Sequence, residues 1–313
     1  MKACVEAVAP ATSANLGAGF DVFGVALDVL FDSVYVELIE EKKIEITVEG
    51  KGANTIPTEP DRNTAGIVAQ ELLKTSEKKY GLKMKVKKGI RPGSGLGSSA
   101  ASAAATAVAV NELLQLGLPK KELINYAALG EKASAGVPHA DNVSAAILGN
   151  FTVIVSREPL EVVSLPLPEN VEFAIAFPYF ACDTSLARSV LPKKINLSDM
   201  VHNVGCAASF IAGITLNDVD LMGKGMEDVV IEPARASLIP GLYHVKEKAV
   251  ETGASGVAIS GAGPSVLALI NTKKTETKKV AMAMCEAFRK YGVESEPLCA
   301  KPGAGAKVVY NRQ

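Results

Sequence analysis

The N-terminal part of the chain alternates apolar and polar residues with the period of two that is typical of β-strands. The alternation appears in ACVEAVAP, SVYVELIE and KKIEITVEG, and returns in MKVKKGI just before a glycine-rich loop. Between the first two of these segments, ATSANLGAGFD is too polar for a strand and predicts a loop. Apolar residues at helical spacing in DRNTAGIVAQELLKTSEKK predict a helix before the last of these strands.

The rest of the chain is expected to mix helices with short buried strands. SSAASAAATAVAVNELLQL predicts a helix, and GNFTVIVS, VEFAIAFP, GVAISG and SVLALI predict strands. Further helices are expected near residues 120–134, 199–215, 218–227, 240–252 and 275–291. SREPLEVVSLPLPEN carries Pro159, Pro166 and Pro168 and is expected to connect two lobes. The pattern therefore predicts an α+β chain with domains over residues 1–160 and 161–313.

Composition narrows the class of protein. The formal net charge of −1 over 313 residues gives no electrostatic argument for binding nucleic acid or an anionic membrane. No run of about 18 apolar residues occurs, and the N-terminus lacks the apolar core of a signal peptide. Five cysteines without motif spacing and three histidines predict neither a zinc site nor a disulfide framework. We therefore expect a cytoplasmic protein with free thiols.

The segment PGSGLGSS, residues 92–99, has the composition of a phosphate-binding loop. Glycines at 93, 95 and 97 let the backbone turn sharply and bring N–H groups close to an anion, and Ser98 and Ser99 begin the following helix. The loop lacks the lysine of a Walker A motif, and its G-x-G-x-G spacing differs from the dinucleotide fingerprint. The alternative is a flexible turn capped by serine.

Four other clusters admit both a functional and a structural interpretation. Asn15 and Asp21 lie in a polar loop that could meet a substrate or simply form an Asx turn. Glu131 could hold Mg²⁺ beside the polar cluster His139-x-Asp141-Asn142, or could lie on a solvated helix face. Arg188 and Arg235 could clamp a carboxylate or could be surface arginines. ISGAGPSVLAL could be a tight turn or a backbone approach to a ligand.

The motifs PATSANLGAGFDVFGVALD, PGSGLGSSAAS, HADN and SGAGPS occur together in this order. In order and spacing they resemble the superfamily of galactokinase, homoserine kinase and mevalonate kinase (GHMP kinases), and within it the homoserine kinases. The resemblance covers the chain from residue 7 to about residue 305. It implies an N-terminal domain like ribosomal protein S5 domain 2, a C-terminal ferredoxin-like domain, and a site between them. The main departure is Ala18, where many members have proline.

The resemblance implies transfer of the γ-phosphoryl group of MgATP to the side-chain hydroxyl of L-homoserine, on the route to threonine. It assigns nucleotide contacts to Asn63 and to the loop, namely Arg91, Pro92, Gly93, Ser94, Gly95, Leu96, Gly97, Ser98, Ser99, Ala100 and Ala101. It assigns Mg²⁺ to Glu131 and Ser98. It assigns substrate and catalytic contacts to Asn15, Asp21, His139, Asp141, Asn142, Thr184, Arg188 and Arg235. It also suggests a homodimer.

Mevalonate kinase-like relatives use an aspartate as base near the transferred phosphate, whereas the homoserine kinase pattern has an amide there, Asn142 in this chain. Phosphoryl transfer depends mostly on positioning and charge stabilisation. Our hypothesis is that no protein base is essential and that the hydroxyl proton passes to a phosphate oxygen.

Three alternatives remain at the level of the sequence. Mevalonate or shikimate as acceptor would leave Asp21 and Asp141 without an ammonium group to bind. A binding protein that had lost catalysis would be expected to lose Glu131 first. A nucleic-acid role, suggested by the S5-like domain, is disfavoured by the neutral charge.

Overall fold

The computed structural model describes residues 3–76, 80–131 and 139–312. Its strands are β1 (Cys4–Asn15), β2 (Gly19–Ile39), β3 (Ile44–Gly50), β4 (Gly81–Lys88), β5 (Phe151–Arg157), β6 (Leu160–Leu165), β7 (Val171–Pro178), β8 (Gly256–Ile259), β9 (Val266–Asn271), β10 (Ser295–Ala300) and β11 (Lys307–Arg312). Its α-helices are α1 (Thr64–Thr75), α2 (Ser98–Leu113), α3 (Lys120–Gly130), α4 (Asp141–Leu148), α5 (Thr184–Ser189), α6 (Leu197–Leu216), α7 (Val219–Lys224), α8 (Ile231–Arg235), α9 (Leu242–Glu251) and α10 (Thr277–Arg289). Among these helices none is long and apolar enough to cross a bilayer.

The first sheet has seven strands, in the order β11-β1-β2-β4-β3, with β5 pairing β2 and β6 pairing β5. Helix α2 packs on β1 and β2 and is flanked by α1, α3 and α4. Its residues from Ala100 to Val110 are all buried. Because most of them are alanine, the helix backbone can lie close to the sheet and place its N-terminus, the end of the glycine loop, deep in the molecule.

The second sheet has four antiparallel strands in the order β10-β7-β9-β8. Numbered within this domain the order is 4-1-3-2, and helices connect the first strand to the second and the third to the fourth, which is the ferredoxin-like arrangement. Helices α9 and α10 pack on each other and on this sheet. The predicted fold class, α+β with a ferredoxin-like second domain, is confirmed.

The strand pairing adds detail that the alternation pattern did not contain. β1 continues to Asn15, so that Thr12 and Ser13, expected in a loop, are fully buried strand residues. The segment expected only to connect the lobes contains β6, which forms a hairpin with β5. β11 returns to the first sheet beside β1. The change from one sheet to the other thus lies between Leu165 and Val171, while the domain limits 1–160 and 161–313 stay predictions. The part of the predicted 120–134 helix after residue 131 falls outside the described residues.

Candidate functional site

A cleft of about 440 Å³ opens between the two domains. The glycine loop forms one wall, and the turn after β1, the start of α4, helix α5 and the 261–263 turn form the others. All eight predicted substrate and catalytic residues line this cleft: Asn15, Asp21, His139, Asp141, Asn142, Thr184, Arg188 and Arg235. Glu131 and seven residues of the loop line it as well: Pro92, Gly93, Ser94, Gly95, Gly97, Ser98 and Ser99. The structure thus brings together residues that lie far apart in the sequence.

The carbonyl groups of the glycine loop are bound by the surrounding elements. The Leu96 carbonyl accepts from the backbone of Thr12 at 3.1 Å, and that of Gly95 accepts from the Ser260 hydroxyl at 2.7 Å. The Ser265 hydroxyl donates to the Ser94 carbonyl at 2.6 Å. In a trans peptide the next N–H points away from the carbonyl. The loop N–H groups are therefore directed away from these partners, as a phosphate-binding loop requires.

Glycine is required at position 97 because φ is +64° and a Cβ there would lie 1.9 Å from the Thr12 hydroxyl oxygen. At Gly95, with φ of +82°, a Cβ would lie 2.5 Å from the Ser260 carbonyl oxygen. The turn between β8 and β9 therefore contacts the loop directly. Of the two interpretations left open for ISGAGPSVLAL, the tight turn is observed, and its residues 261–263 line the cleft, while their approach to a ligand stays a prediction.

Glu131 and Ser99 form the candidate metal-binding pair. The Ser99 hydroxyl donates to Oε2 of Glu131 at 3.0 Å, and both residues line the cleft beside the loop. A carboxylate and a hydroxyl are oxygen ligands of the kind that Mg²⁺ prefers, so these residues fit the ion. The Ser98 hydroxyl instead donates to the carbonyl of Ile90 at 2.8 Å. The geometry favours Ser99 over the predicted Ser98 as the partner of Glu131.

A buried ion pair beneath the loop was missed by the sequence analysis. The ammonium of Lys88 contacts the carboxylate of Asp32, and both side chains are almost fully excluded from solvent. Lys88 also donates to the Ser98 carbonyl and to the Ser102 hydroxyl, each at 2.7 Å. Asp32 in turn accepts from the backbone N–H of Gly89 at 3.0 Å. The pair therefore ties the start of α2 to β2 and to the end of β4.

Asn15 and Asp21 are held by an unusual backbone at the β1–β2 turn. Asn15, Leu16 and Asp21 have φ of 72°, 50° and 57°, a left-handed conformation that is uncommon for residues other than glycine. The Asn15 side chain donates to the Gly261 carbonyl at 2.8 Å and accepts from the Asp21 backbone N–H at 3.0 Å. Asn15 thus positions Asp21 and joins the two domains.

Arg188 lies between Asp21 and His139. Its Nη2 is 2.9 Å from Oδ1 of Asp21 and 3.2 Å from Nδ1 of His139. Burial lowers the pKa of His139, and the charge of Arg188 lowers it further, so the imidazole is neutral at pH 7 and Nδ1 accepts from Arg188. The other ring nitrogen, Nε2, is buried and bonded to none of the described residues. It is therefore available to a substrate.

Arg235 is a buried cation whose hydrogen bonds go to carbonyl groups. It is 4% exposed, and it donates to the carbonyls of Ala187 and Gly261 at 3.1 and 2.9 Å. Burial lowers its pKa, and the charge of Arg188 adds to the effect. The ring of Phe20 lies 5.6 Å from the guanidinium of Arg188 and 5.4 Å from that of Arg235. Two guanidiniums around one ring make this part of the cleft a candidate site for an anion.

Asp141 and Asn142 begin α4 at the floor of the cleft. Burial raises the pKa of the Asp141 carboxyl to about 6, and the nearby carboxylate of Asp21 contributes to the increase. The Asn142 backbone N–H donates to Asp141 at 2.7 Å. The Thr12 hydroxyl donates to Oδ1 of Asn142 at 2.7 Å. The Asn142 amide is thus oriented by a buried threonine of β1, a partner that the sequence analysis did not identify.

A second cavity of about 190 Å³ adjoins the cleft and shares Thr55, Pro92, Ser98 and Ser99 with it. Its other walls include Ile56, Pro57 and Asn63. The Asn63 side chain accepts from the N–H groups of Ala65 and Gly66, at 2.9 and 3.2 Å, and donates to the Pro57 carbonyl at 2.6 Å. Asn63 is therefore the N-cap of α1 and fixes the shape of this cavity.

Some predicted nucleotide contacts have other roles in the structure. Arg91 is absent from the lining of the cleft; its guanidinium donates to the Pro178 carbonyl and lies 4.4 Å from the ring of Phe177, in the second domain. Leu96, Ala100 and Ala101 are fully buried and do not line the cleft. Their side chains pack in the core, so any contact with a nucleotide would be through the backbone.

The site also contains residues that the sequence analysis did not identify as functional. Phe20 and Ala14 line the cleft within a motif that was singled out for other residues, and Cys182 and Asp183 flank Thr184. Lys88 and Asp32 are charged residues on the buried faces of β4 and β2, in line with Val86 and Val34. Only their pairing in three dimensions identifies them.

Comparison with known proteins identifies the relatives of this chain. Residues 63–150 match the GHMP kinases N terminal domain, and residues 210–290 match the GHMP kinases C terminal domain. The chain is 46% identical over 266 residues to a homoserine kinase of Methanococcus vannielii, covering 85% of this chain and 87% of that protein. It is 45% identical over 301 residues to a homoserine kinase of Methanocella arvoryzae, covering 96% of each.

A solved structure agrees with these relatives. The crystal structure of homoserine kinase from Cytophaga hutchinsonii superposes with a TM-score of 0.92 at 37% identity, covering 98% of this chain and 97% of that one. The matches confirm the family resemblance and the fold predicted from the motifs. The individual roles of the residues that line the cleft stay predictions.

Proposed function

The chain belongs to the homoserine kinases of the GHMP kinase family, and we propose that its cleft transfers the γ-phosphoryl group of ATP to the side-chain hydroxyl of L-homoserine. The product is O-phospho-L-homoserine, on the route to threonine. The observation that carries the proposal is the presence, in one cleft, of a phosphate-type loop, a carboxylate–hydroxyl pair for a metal, and a pair of guanidiniums facing two carboxylates.

The charged groups of the cleft are complementary to an α-amino acid. Arg188 and Arg235 provide forked donors for a carboxylate, and the buried Arg235 has only carbonyl partners in the hydrogen bonds described above. Asp21 and Asp141 provide acceptors for an ammonium group. His139 is neutral with Nδ1 accepting from Arg188, so its Nε2–H is a donor for the carboxylate. An acceptor with a carboxylate alone would leave Asp21 and Asp141 without an ammonium group to bind, which disfavours mevalonate and shikimate as substrates.

The nucleotide is expected to lie along the glycine loop. The loop N–H groups and the N-terminus of α2 bind the phosphates, and the adjoining cavity beside Ile56, Pro57 and Asn63 accepts the base or ribose. Glu131 and Ser99 would hold Mg²⁺, and the bound ion would supply positive charge to offset that of the phosphates. The Lys88–Asp32 pair fixes the start of α2, so these groups are in position before the substrates bind.

Catalysis then consists mainly of placing the hydroxyl in line with the γ-phosphorus. The Asn142 amide oxygen is already engaged by Thr12, and an amide cannot take up a proton at neutral pH, so Asn142 orients the substrate and is not a base. The hydroxyl proton passes to a phosphate oxygen as the bond to phosphorus forms and ADP leaves. Asp141, with its raised pKa, stabilises the substrate ammonium.

The proposed function is tested by measuring ADP release from MgATP with a panel of acceptors, L-homoserine, mevalonate, shikimate and L-threonine. We expect L-homoserine to give the highest kcat/KM. Turnover with another acceptor and none above background with L-homoserine would exclude the proposed substrate while leaving the kinase assignment intact. The cytoplasmic location and the homodimer suggested by the sequence stay predictions.

A further inference from the structure

Three side chains with metal-binding chemistry meet on the surface of the second domain, among residues that do not line the cleft. His202 and Cys206 lie on α6, and Glu227 lies in the loop after α7. Their ligand atoms all lie within 4.8 Å of one another. Nε2 of His202 is 3.4 Å from Sγ of Cys206 and 3.7 Å from Oε1 of Glu227. The imidazole is therefore at the centre of the group.

The backbone that carries these residues is already fixed. His202 and Cys206 are four residues apart on one helix, which places both side chains on one face, one turn apart. Next to His202, the side chain of Asn203 donates to Asp228 at 2.9 Å and accepts from the backbone N–H of Val229 at 3.1 Å. These two bonds hold the loop immediately after Glu227 against α6.

On the other side of Glu227 the loop makes a close backbone contact with the same helix. A Cβ on Gly225 would lie 2.6 Å from the carbonyl oxygen of Cys206 and 2.5 Å from the backbone nitrogen of Phe210. The chain can approach this closely only because residue 225 is glycine. The backbone of Glu227 is thus fixed relative to Cys206 by contacts on both sides. Only the exposed side chain of Glu227 needs to rotate for its carboxylate to reach a metal ion.

The distances suit a tetrahedral ion. Zinc binds histidine nitrogen at about 2.0–2.1 Å, thiolate sulfur at about 2.3 Å and carboxylate oxygen at about 2.0–2.2 Å. Neighbouring ligand atoms around such an ion are then roughly 3.3–3.6 Å apart. The two separations from Nε2 of His202 lie within tenths of an ångström of that range. A nitrogen, sulfur and oxygen set is also unlike the all-oxygen ligands of Mg²⁺.

We infer that His202, Cys206 and Glu227 form a binding site for a transition-metal ion of the zinc class, with three protein ligands and the fourth position open to water. The sequence analysis expected no zinc site, but in the fold a glutamate from another element joins the His-x-x-x-Cys pattern of α6. The site is separate from the Glu131–Ser99 pair and does not depend on the proposed function.

The ion ties α6 to the segment that leads into α8. Asp228, next to Glu227, accepts from the backbone N–H groups of Val230, Ile231 and Glu232 at 2.9–3.0 Å and so caps α8. The same helix ends at Arg235, which lines the cleft. Metal binding therefore stabilises α8, and through it the position of Arg235, although the metal ion itself lies outside the cleft.

The site is tested by titrating Co²⁺ into the full-length, chelator-treated protein, without ATP or homoserine. A thiolate ligand gives a sulfur-to-cobalt charge-transfer band, which the oxygen ligands of a Mg²⁺ site cannot produce. We expect one ion per chain with this band, displaced by Zn²⁺ and not by excess Mg²⁺. The band should be lost in Cys206→Ser and kept in the matched control Cys299→Ser, which removes an exposed thiol of β10.

His202→Ala keeps the thiol and provides a second test if Cys206→Ser folds poorly. Changes in residues around a metal ligand typically cost 10–100-fold in affinity, so removal of a ligand should weaken Zn²⁺ binding at least about tenfold. Absence of the charge-transfer band in the unmodified protein, or its persistence in Cys206→Ser, would overturn the inference. An unchanged Zn²⁺ affinity in His202→Ala would do the same.

Discussion

Arg188 of the second domain contacts Asp21 of the first domain through two nearly parallel hydrogen bonds, 2.9 Å from Nη2 to Oδ1 and 3.3 Å from Nη1 to Oδ2. The groups proposed to bind the carboxylate and the ammonium of the substrate thus form an ion pair with each other across the domain boundary. A zwitterionic substrate can replace both partners: its carboxylate takes the place of Asp21 beside Arg188, and its ammonium takes the place of Arg188 beside Asp21. This contact explains how both groups remain paired in the free protein.

Arg188→Lys tests the carboxylate clamp. Lysine keeps the positive charge but cannot bind a carboxylate through two parallel N–H groups. Loss of a hydrogen bond to a charged group costs about 2 kcal/mol, so we expect kcat/KM for L-homoserine to fall roughly thirtyfold. The loss should appear mainly in KM for homoserine, with KM for ATP unchanged. Arg157→Lys is the matched control, because its guanidinium also contacts Asp21, at 3.4 Å, but is largely exposed. Equal effects of the two variants would contradict the assignment.

Ser99→Ala and Ser98→Ala distinguish the metal partner of Glu131. The Ser99 hydroxyl donates to Glu131, so its loss should raise the Mg²⁺ concentration needed for half-maximal activity. The Ser98 hydroxyl donates to the Ile90 carbonyl, so its loss should mainly lower the free energy of unfolding, by about 1 kcal/mol. Activity measured against Mg²⁺ concentration, with denaturant unfolding alongside, checks both. A larger Mg²⁺ effect in Ser98→Ala would restore the assignment made from the sequence.

Lys88→Met tests the buried pair beneath the glycine loop. The substitution leaves the Asp32 carboxylate buried without its cation, and we expect the free energy of unfolding to fall by about 3–5 kcal/mol. The double variant Lys88→Met, Asp32→Leu removes both charges and should recover part of that loss, because no unpaired charge remains. Denaturant titration measures both. A loss below about 1 kcal/mol in Lys88→Met would show that the pair does not support the fold.

Protonation of Asp141 is expected to set the acidic limb of the pH profile of kcat/KM. Its pKa is raised to about 6, so the carboxylate becomes neutral as pH falls through about 6 and its attraction for the substrate ammonium is lost. We expect kcat/KM for L-homoserine, at saturating MgATP, to fall below about pH 6 and this limb to vanish in Asp141→Asn. Asp21, Arg157 and Arg188 face the same carboxyl. An unchanged limb in Asp141→Asn would assign it to another group.

Asn142→Ala and Asp141→Ala test whether a protein base is needed. General acid–base catalysis typically contributes about 10²–10⁴-fold, so without a dedicated base Asn142→Ala should lower kcat by less than about 100-fold. Asp141→Ala should act mainly through KM for homoserine. A collapse of kcat in only one variant, with homoserine binding intact, would reveal a base or an equivalent proton relay at that residue.

Local patterns were sufficient for much of the fold. The period-two alternation identified β1 to β4 because each has one buried face, and the alanine run of α2 identified a closely packed helix. β6, β10 and β11 were not predicted, because their exposed residues and the prolines and glycines in or near them resemble loops. Motifs located the residues of the cleft, which lie in turns of distinctive composition or in the helices that follow them.

Pairing between distant residues could not be predicted in the same way. The contacts of Lys88 with Asp32, of Thr12 with Asn142 and of Phe20 with two arginines join segments far apart in the chain. The motifs placed Asn63 and Arg91 near the nucleotide but gave no indication of their hydrogen bonds, which form a helix cap at Asn63 and an interdomain contact at Arg91. A motif predicts which site a residue lies near, whereas the hydrogen-bond partners of its side chain depend on the tertiary structure.

The central claim is that one cleft binds both the carboxylate and the ammonium of an amino acid while the glycine loop binds the phosphates of ATP. It is tested most directly by comparing ADP release with L-homoserine and with 4-hydroxybutyrate, which keeps the hydroxyl and carboxylate but lacks the ammonium. We expect kcat/KM for 4-hydroxybutyrate to be lower by at least about thirtyfold, as for loss of a charged hydrogen bond, with the gap reduced in Asp21→Asn. Equal kcat/KM for the two alcohols in the unmodified protein would contradict the account.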